Sequence, residues 1–268
     1  MLSKFALRFT VPDFWLRSHS ILFAPCQDVD GTILDFEAIE LVVAPARLAG
    51  GILLVAETLN QVKEQRQVWL YNPSQRRVRR APNVAYDNPG IAADGMRTSD
   101  QLDMYNGSPD RYDWKLVGRK EMYVPYNSYR LQDPSVKVKD ILTPLHINQE
   151  FARYELHRVW VIEATLKEDQ RHIYARRTFF VDEDTWQISI ADLYDGRGEL
   201  WRVKEAHNVL HYQVQVPWYA LEVSHDLISG RYLPIGLDNE ISGYQYNWDY
   251  KVSEREYTPA ALRRSGTR

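Results

Sequence analysis

Three aspartates offer the first chemical possibility in this chain. Asp103, Asp110 and Asp113 are interleaved with the aromatic residues Tyr105 and Tyr112. Two carboxylates beside aromatic rings could hydrolyse a glycan, one as acid and the other as base or nucleophile, and carboxylate oxygens could also bind a hard cation. The surrounding loop is rich in turn residues, however, where aspartates more often cap turns through their own backbone. A glycan hydrolase is therefore the alternative hypothesis, and turn capping is the favoured interpretation.

A short run of arginines is the second chemical feature. Arg76, Arg77, Arg79 and Arg80 could hold the phosphates of a nucleic acid or of an anionic lipid head group. On an alternating strand Arg77 and Arg79 would face one way, and Arg76 and Arg80 the other. Since the net charge of the chain is −3, no overall attraction to nucleic acid is expected. The run predicts a polar or anionic contact surface, with ion pairs to nearby aspartates and solvation favoured over nucleic-acid binding.

The histidines and the common enzyme motifs give little support for catalysis. His207 and His211 have the i, i+4 spacing of a helical zinc pair, but the residues around them resemble strand and turn. The chain contains no HExxH, no Gly-x-Ser-x-Gly, no P-loop and no Gly-x-Gly-x-x-Gly sequence. The sequence therefore predicts no catalytic residue, no metal and no cofactor.

These side chains must be positioned by a fold that is predicted to be mainly β. Residues 154–166, 172–181, 185–194 and 199–203 are rich in Val, Ile, Thr, Phe, Tyr and Trp, and they are separated by short Asp- and Gly-rich turns. Such spacing predicts an antiparallel meander. Earlier strands are expected at 40–44, 51–58, 67–71 and 114–124, and a later hairpin at 211–223 and 230–237. A short helix over 136–142 and a helical turn near 99–104 complete the expected elements.

Alternation within the meander predicts one apolar face. In the first strand Trp160 and Ile162 share a face with other apolar residues, whereas the opposite face is mixed. In the third strand Trp186, Ile188 and Ile190 are expected on one face. Such a face could be an ordinary core, which aromatic stripes usually form, or the concave wall of a ligand site. For the second case the candidate lining residues are Tyr154, Trp160, Ile162, Phe179, Trp186 and Ile188.

Composition limits the class of protein further. A hydrophobic fraction of 44% and a charged fraction of 26% are ordinary for a globular chain. The single cysteine, Cys26, follows a proline and an upstream segment interrupted by charges, so it is expected to be structural rather than lipidated. No usable export signal is seen. The chain is thus expected to be cytoplasmic, or to have its natural N-terminus missing or miscalled.

Several long segments resemble a known family. They are residues 76–86, 103–114, 154–160, 192–201 and 236–240. Together they resemble a family of Gram-negative envelope proteins, the domain of unknown function 1329, over roughly residues 40 to 245. Residues 1–38 do not share this resemblance.

The resemblance implies a fold and a role. Its fold would be that of the outer-membrane lipoprotein-carrier superfamily, a large curved antiparallel sheet forming a half-barrel with helices against its concave face. It also implies a periplasmic, non-enzymatic protein that binds or carries a lipid or other hydrophobic molecule. The expected partners are an inner-membrane efflux-type transporter and an outer-membrane protein; a second alternative is an assembly partner that binds no ligand. We expect an unassigned segment over 1–38, one domain over 39–249 and a flexible tail over 250–268.

Overall fold

A computed structural model describes the side chains of residues 49–240 and 255–266, except for residues 59, 82, 83, 85, 91, 92 and 256. Within residues 1–48 it describes the backbone of five strands. Cys26 lies outside the described residues, and of the segment expected over residues 1–38 the structure describes strand backbone and no side chains. The chain divides into two compact units, residues 1–88 with 241–268, and residues 89–240. The single domain expected over residues 39–249 stays a prediction.

The first unit contains an antiparallel sheet whose eight strands come from the N-terminal third of the chain. The strands are β1 (Lys4–Phe5), β2 (Arg8–Val11), β3 (Phe14–Phe23), β4 (Asp28–Val29), β5 (Thr32–Ala44), β6 (Ile52–Thr58), β7 (Gln67–Asn72) and β8 (Arg77–Ala81). The main path runs β1-β3-β5-β6-β7-β8, with β2 paired to β3 and β4 paired to β5. The strands predicted at 51–58 and 67–71 are confirmed as β6 and β7.

A C-terminal helix packs within this first unit. Helix α2 (Pro259–Gly266) buries Leu262 in a cluster with Leu54 and Tyr71. The Tyr71 hydroxyl donates to the carbonyl oxygen of Gly266 at 2.9 Å. The sequence predicts a flexible tail here, because residues 250–268 are largely polar. That prediction is wrong for residues 259–266, since a few apolar side chains are enough to anchor two turns of helix to a sheet.

The second unit contains a seven-stranded antiparallel sheet in which every strand pairs with its neighbour in sequence. The strands are β9 (Tyr112–Pro125), β10 (Tyr154–Leu166), β11 (Arg176–Asp182), β12 (Ile188–Tyr194), β13 (Leu200–His211), β14 (Val216–Asp226) and β15 (Tyr232–Ile235). The predicted mainly β class and the antiparallel meander are confirmed. The bounds of β10 coincide with the prediction, because its apolar alternation is strong and its flanking turns are polar.

One face of this sheet is covered by the connection between β9 and β10. The connection contains a 3-10 turn (Tyr129–Gln132) and helix α1 (Val138–Ile141), where a short helix was predicted. Leu131, Ile141 and Ile147 are fully buried against Val209 and Leu221 of the sheet. None of the helices in the described part of the chain is long and apolar enough to cross a membrane.

Register shifts change which side chains share a face. Ile188 pairs with Val181 and Ile190 pairs with Phe180, so that Ser189 is an extra residue in β12. Ile188 consequently packs on one face of the sheet and Ile190 on the other. The prediction that Trp186, Ile188 and Ile190 share a face is therefore wrong, because a β-bulge resets the alternation of side chains.

Candidate functional site

The apolar face of the seven-stranded sheet brings together four of the six predicted lining residues. Trp160, Ile162, Phe179 and Ile188 all belong to one cluster. Phe179 is buried, whereas the other three are partly buried and lie around it. The alternation predicted for β10 is confirmed at this face, since Ala164 and Leu166 join the same cluster. Three adjacent strands therefore supply one continuous apolar surface.

Part of this surface is covered by the loop that precedes β9, residues 93–111, here called the cover segment. Met104 of the cover segment is buried in the apolar cluster, and the ring of Tyr105 lies 5.3 Å from that of Phe179. Asp103 and Met104 both have positive φ angles, 47° and 68°. Left-handed backbone at two consecutive non-glycine residues costs on the order of 1–2 kcal/mol each. Strong contacts must therefore hold the cover segment in place.

One such contact is a buried ion pair. An Nη2 hydrogen of Arg177 is donated to Oδ2 of Asp100 at 2.6 Å, and both side chains are almost completely excluded from solvent. Nδ1 of His172 accepts the Tyr174 backbone N–H at 3.0 Å, and Nε2 of the same ring lies 3.1 Å from Oδ2 of Asp100 and 2.7 Å from Nη2 of Arg177. Burial raises the pKa of Asp100, but Arg177 and His172 lower it by more, so the net pKa lies well below its usual range. The carboxylate is ionised.

A second buried ion pair, between β13 and β14, holds the same segment. The Lys204 ammonium donates to Oε2 of Glu222 at 2.9 Å and to the carbonyl oxygen of Gln101 at 2.8 Å. The backbone N–H of Met104 donates to the same carboxylate oxygen at 3.3 Å. Since a buried charge is tolerated only when it is paired and hydrogen-bonded, these contacts tie the cover segment to β13 and β14.

The apolar face continues beyond the cover segment as a strip along β9 and β10, here called the open strip and consisting of Trp114, Leu116, Leu156, Trp160 and Ile162. Leu116 and Leu156 are 61% and 57% exposed. Leu116 lies across from Ile162, and Trp114 stacks on Phe179 with ring centroids 5.9 Å apart. The buried Nε1–H of Trp160 has no hydrogen-bond partner among the described residues. The open strip thus combines exposed apolar area with one unused donor.

The other two predicted lining residues lie apart from this cluster. Trp186 is in the turn before β12, with a φ of 60° and 69% exposure. The Tyr154 hydroxyl donates to Glu205 at 3.1 Å, and its ring lies 6.0 Å from that of His207. Contact of Tyr154 or Trp186 with a ligand stays a prediction.

The three aspartates of the alternative hydrolase do not form a compact group. Asp113 lies on the exposed edge strand β9, Asp110 lies in the 3-10 turn Pro109–Arg111, and Asp103 lies in the cover segment. Among the described residues, the His, Asp and Glu side chains close enough to hold a metal ion together are His157, Asp182 and Asp184. The aspartate spacing in sequence therefore does not become a metal cluster in the fold.

The group at His157 is satisfied by its own hydrogen bonds. Nδ1 of His157 lies 2.8 Å from Oδ1 of Asp182, and Oδ2 of Asp182 accepts the backbone N–H and the hydroxyl of Thr185 at 2.9 and 2.8 Å. A polar cleft of about 390 Å³ adjoins it, lined also by Glu121, Arg158 and Glu183. Asp182 thus caps the turn between β11 and β12. The Asp-Glu-Asp sequence of this turn is the signal that could have indicated the capping role.

Sequence reasoning missed a buried histidine on the other face of the sheet. His207 is completely buried in strand β13, and neither ring nitrogen has a hydrogen-bond partner among the described residues. Burial lowers its pKa to about 4, although the nearby Glu205 opposes that shift. His207 and His211 lie in one strand, where residues four apart are roughly 13 Å apart. The helical zinc pair suggested by their spacing is therefore not formed.

The predicted arginine surface lies in the first unit. Arg77, Arg79 and Arg80 are in β8, at the end of the strand order, and Arg76 is in the turn before it. All four side chains are exposed. The predicted ion pairs with aspartates are not found in the described part of the chain.

Comparison with known proteins identifies the relatives of this chain. The family described as "Protein of unknown function (DUF1329)" matches residues 28–263. An uncharacterized protein of Pseudomonas aeruginosa is 63% identical over 227 residues, which is 85% of this chain and 50% of that protein. The chain thus spans about half the length of the curated relative that it matches.

Two solved structures share the fold. A domain assigned as an outer membrane lipoprotein-sorting protein, from Vibrio parahaemolyticus, superposes with a TM-score of 0.63 at 13% identity, covering 98% of this chain and 91% of that one. A DUF1329 family protein from Desulfovibrio piger superposes with a TM-score of 0.56 at 16% identity, covering 97% and 90%. At these identities the similarity shows the fold and nothing finer.

Proposed function

The chain belongs to the DUF1329 family, and we propose that it is a non-enzymatic envelope protein that binds or carries a lipid or another hydrophobic molecule. The observation that carries this proposal is the open strip, where the apolar face of the sheet continues into solvent beside its own core. Large exposed apolar areas on a folded protein usually mark binding sites. The lipoprotein-sorting protein from Vibrio parahaemolyticus, which shares the fold, is consistent with an apolar cargo.

The chemistry of the strip favours a ligand with a long apolar part and few polar groups. Trp160, Ile162 and Leu116 offer aromatic and aliphatic contact, and each methylene that a ligand buries there contributes about 0.8 kcal/mol. An acyl or sterol-like molecule fits this combination of wide apolar area and sparse polar anchoring.

The cellular context is part of the same proposal. A carrier of hydrophobic molecules in the Gram-negative envelope would work in the periplasm, where it would receive or deliver its ligand at an inner-membrane efflux-type transporter and an outer-membrane protein. The resemblance to the family supports this context. The ligand itself and the direction of transfer are left open.

A binding measurement on a tryptophan variant tests the proposed site. A fluorescent fatty acid is titrated into the protein and into a Trp160→Ala variant, and the dissociation constants are compared with the free energies of unfolding. We expect removal of the Trp160 ring to weaken binding at least tenfold, about 1.4 kcal/mol, because the ring supplies apolar contact to the ligand. The fold should be retained, since this side chain is only half-buried.

A matched control separates the site from general loss of aromatic packing. Trp218 is also partly buried, but it lies across from Val209 on the opposite face of the sheet. Trp218→Ala should leave the affinity within about twofold of the wild type. Equal affinities for all three proteins, with only stability changed in Trp160→Ala, would show that the open strip is core and not a ligand site.

A further inference from the structure

The hairpin formed by β7 and β8 carries a concentrated positive charge that the fold of the chain does not use. It is called the arginine hairpin here and spans residues 67–81. The side chains of Arg76, Arg77, Arg79 and Arg80 are all exposed. None of them has an ion pair or a hydrogen bond to any other described residue. Among the described residues, therefore, no side chain neutralises their positive charge.

The described residues around the hairpin carry few acidic side chains. Over residues 49–88 and 255–266, leaving out Glu256, whose side chain lies outside the described residues, there are nine Lys and Arg side chains and three Asp and Glu side chains. The chain as a whole has a net charge of −3. One of the three acidic residues, Glu57, is fully buried and paired with Arg66. Charge is thus distributed unevenly along the chain, and the described side chains of this region are predominantly cationic.

The backbone at Arg76 provides a way to test the side chain. Arg76 has a φ of 51° in the turn between β7 and β8. Glycine adopts this left-handed conformation without strain, whereas a residue with a Cβ atom adopts it less readily. Replacement of Arg76 by glycine therefore removes the charge without straining the backbone.

The residues across the hairpin indicate the kind of partner. Arg79 lies opposite Leu70, and Arg80 lies opposite Trp69. Leu70 is 37% exposed and Trp69 is partly buried. The two pairs lie on opposite faces of the sheet, and Trp69 packs against the core cluster that contains Leu54 and Tyr71. The face of Arg79 therefore sets guanidinium groups beside the exposed aliphatic side chain of Leu70, and at a membrane interface such groups bind phosphates while the apolar side chain meets the boundary of the acyl chains.

We propose that the arginine hairpin is a docking site for the phosphate groups of an anionic lipid surface. This inference goes beyond the proposed function, because the hairpin is distinct from the open strip and needs no bound cargo. Each arginine at an anionic surface contributes about 1 kcal/mol. Two of them therefore account for roughly a 30-fold change in affinity.

Vesicle binding tests this site directly. The whole protein is incubated with vesicles of phosphatidylcholine containing phosphatidylglycerol, or of phosphatidylcholine alone, and the bound fraction is measured by flotation at low and high salt. We expect binding only to the anionic vesicles, and release at high salt. The double variant Arg77→Gln/Arg79→Gln should bind roughly 30-fold more weakly. Arg76→Gly should bind roughly fivefold more weakly while its melting temperature stays equal or rises.

The control removes the same number of charges elsewhere. Arg153 and Arg197 are exposed, but each is paired with a carboxylate, Glu155 or Asp195. The double variant Arg153→Gln/Arg197→Gln should bind the anionic vesicles as the wild type does. Equal loss in both double variants, binding that is insensitive to salt or to lipid charge, or binding to an oligonucleotide but not to vesicles would each overturn the assignment. Fatty-acid affinity, measured in parallel, is expected to be unchanged, so failure here is distinguishable from failure of the proposed carrier function.

Discussion

Arginine has opposite roles in the two units of this chain. Arg177 of the seven-stranded sheet is completely buried, bonded to Asp100 and surrounded by the rings of Tyr105, Tyr112 and Tyr174 at 4.8–5.3 Å. The four arginines at β8 are exposed and have no carboxylate partner among the described residues. The same side chain is part of the core in one unit and free for external contacts in the other.

The difference shows that local sequence is a poor guide to the structural weight of a charged residue. The arginine run at 76–80 stands out by eye, yet its surroundings give it little part in stability, because solvated charges contribute little. Arg177 is one residue in an ordinary β-strand, yet its partner is 77 positions away in the cover segment. Burial, not clustering in sequence, decides which charge the fold depends on.

Removal of Arg177 should have the largest effect. We expect Arg177→Met to lower the free energy of unfolding by about 3–5 kcal/mol, because Asp100 is left as a buried charge without its partner. Urea denaturation measures the loss. The double variant Asp100→Asn/Arg177→Met, which removes both charges, should recover part of it. A loss below about 1 kcal/mol for the single variant would mean that the pair is not the anchor of the cover segment.

His207 is a buried side chain that, unlike Arg177, has no charged hydrogen-bond partner among the described residues. Its pKa is about 4 in the folded protein and near the ordinary 6.5 when unfolded. The unfolded chain therefore binds the proton first as the pH falls, and we expect about 3 kcal/mol of stability to be lost between pH 6.5 and pH 4.

A variant isolates this histidine from other titrating groups. His207→Leu should have a flatter stability profile over the same pH window, measured by urea denaturation at several pH values. Asp100 does not interfere, because its lowered pKa confines its own loss of stability to pH values below the ordinary value of 3.8. Parallel pH profiles for the two proteins would contradict the assignment of a buried neutral His207.

Neutralising the arginine hairpin should have the smallest effect on stability. Arg77→Gln/Arg79→Gln should change the free energy of unfolding by less than about 0.5 kcal/mol, since exposed charges without partners add little to folding. Thermal and urea unfolding of this variant beside Arg177→Met would give the comparison in one experiment. A large loss in the hairpin variant would place those arginines in the fold after all.

The sequence predicted the strands of the meander but not those that begin before residue 40. Strand β10 was predicted to the residue, and Trp160 and Ile162 were correctly predicted to share an apolar face, because alternation is a local property. Strand β13 extends to His211, eight residues beyond the predicted end at Val203. Its Lys204 and Glu205 look like turn residues, but they are held by partners on other strands and in the cover segment.

The remaining errors share one cause. The bulge at Ser189, the burial of His207 and the pairing of Asp100 with Arg177 all depend on which segments meet in space. A single sequence contains no direct signal for such long-range contacts. When a bulge is missed, the later residues of that strand are assigned to the wrong face of the sheet.

The proposed carrier function can be tested by native mass spectrometry of the protein after incubation with lipids extracted from a Gram-negative envelope, with Trp160→Ala and Trp218→Ala treated in the same way. The carrier account predicts a discrete added mass on the wild type and on Trp218→Ala, released on denaturation and identifiable as an apolar molecule, and a much reduced signal on Trp160→Ala. An unliganded mass for all three folded proteins would contradict it.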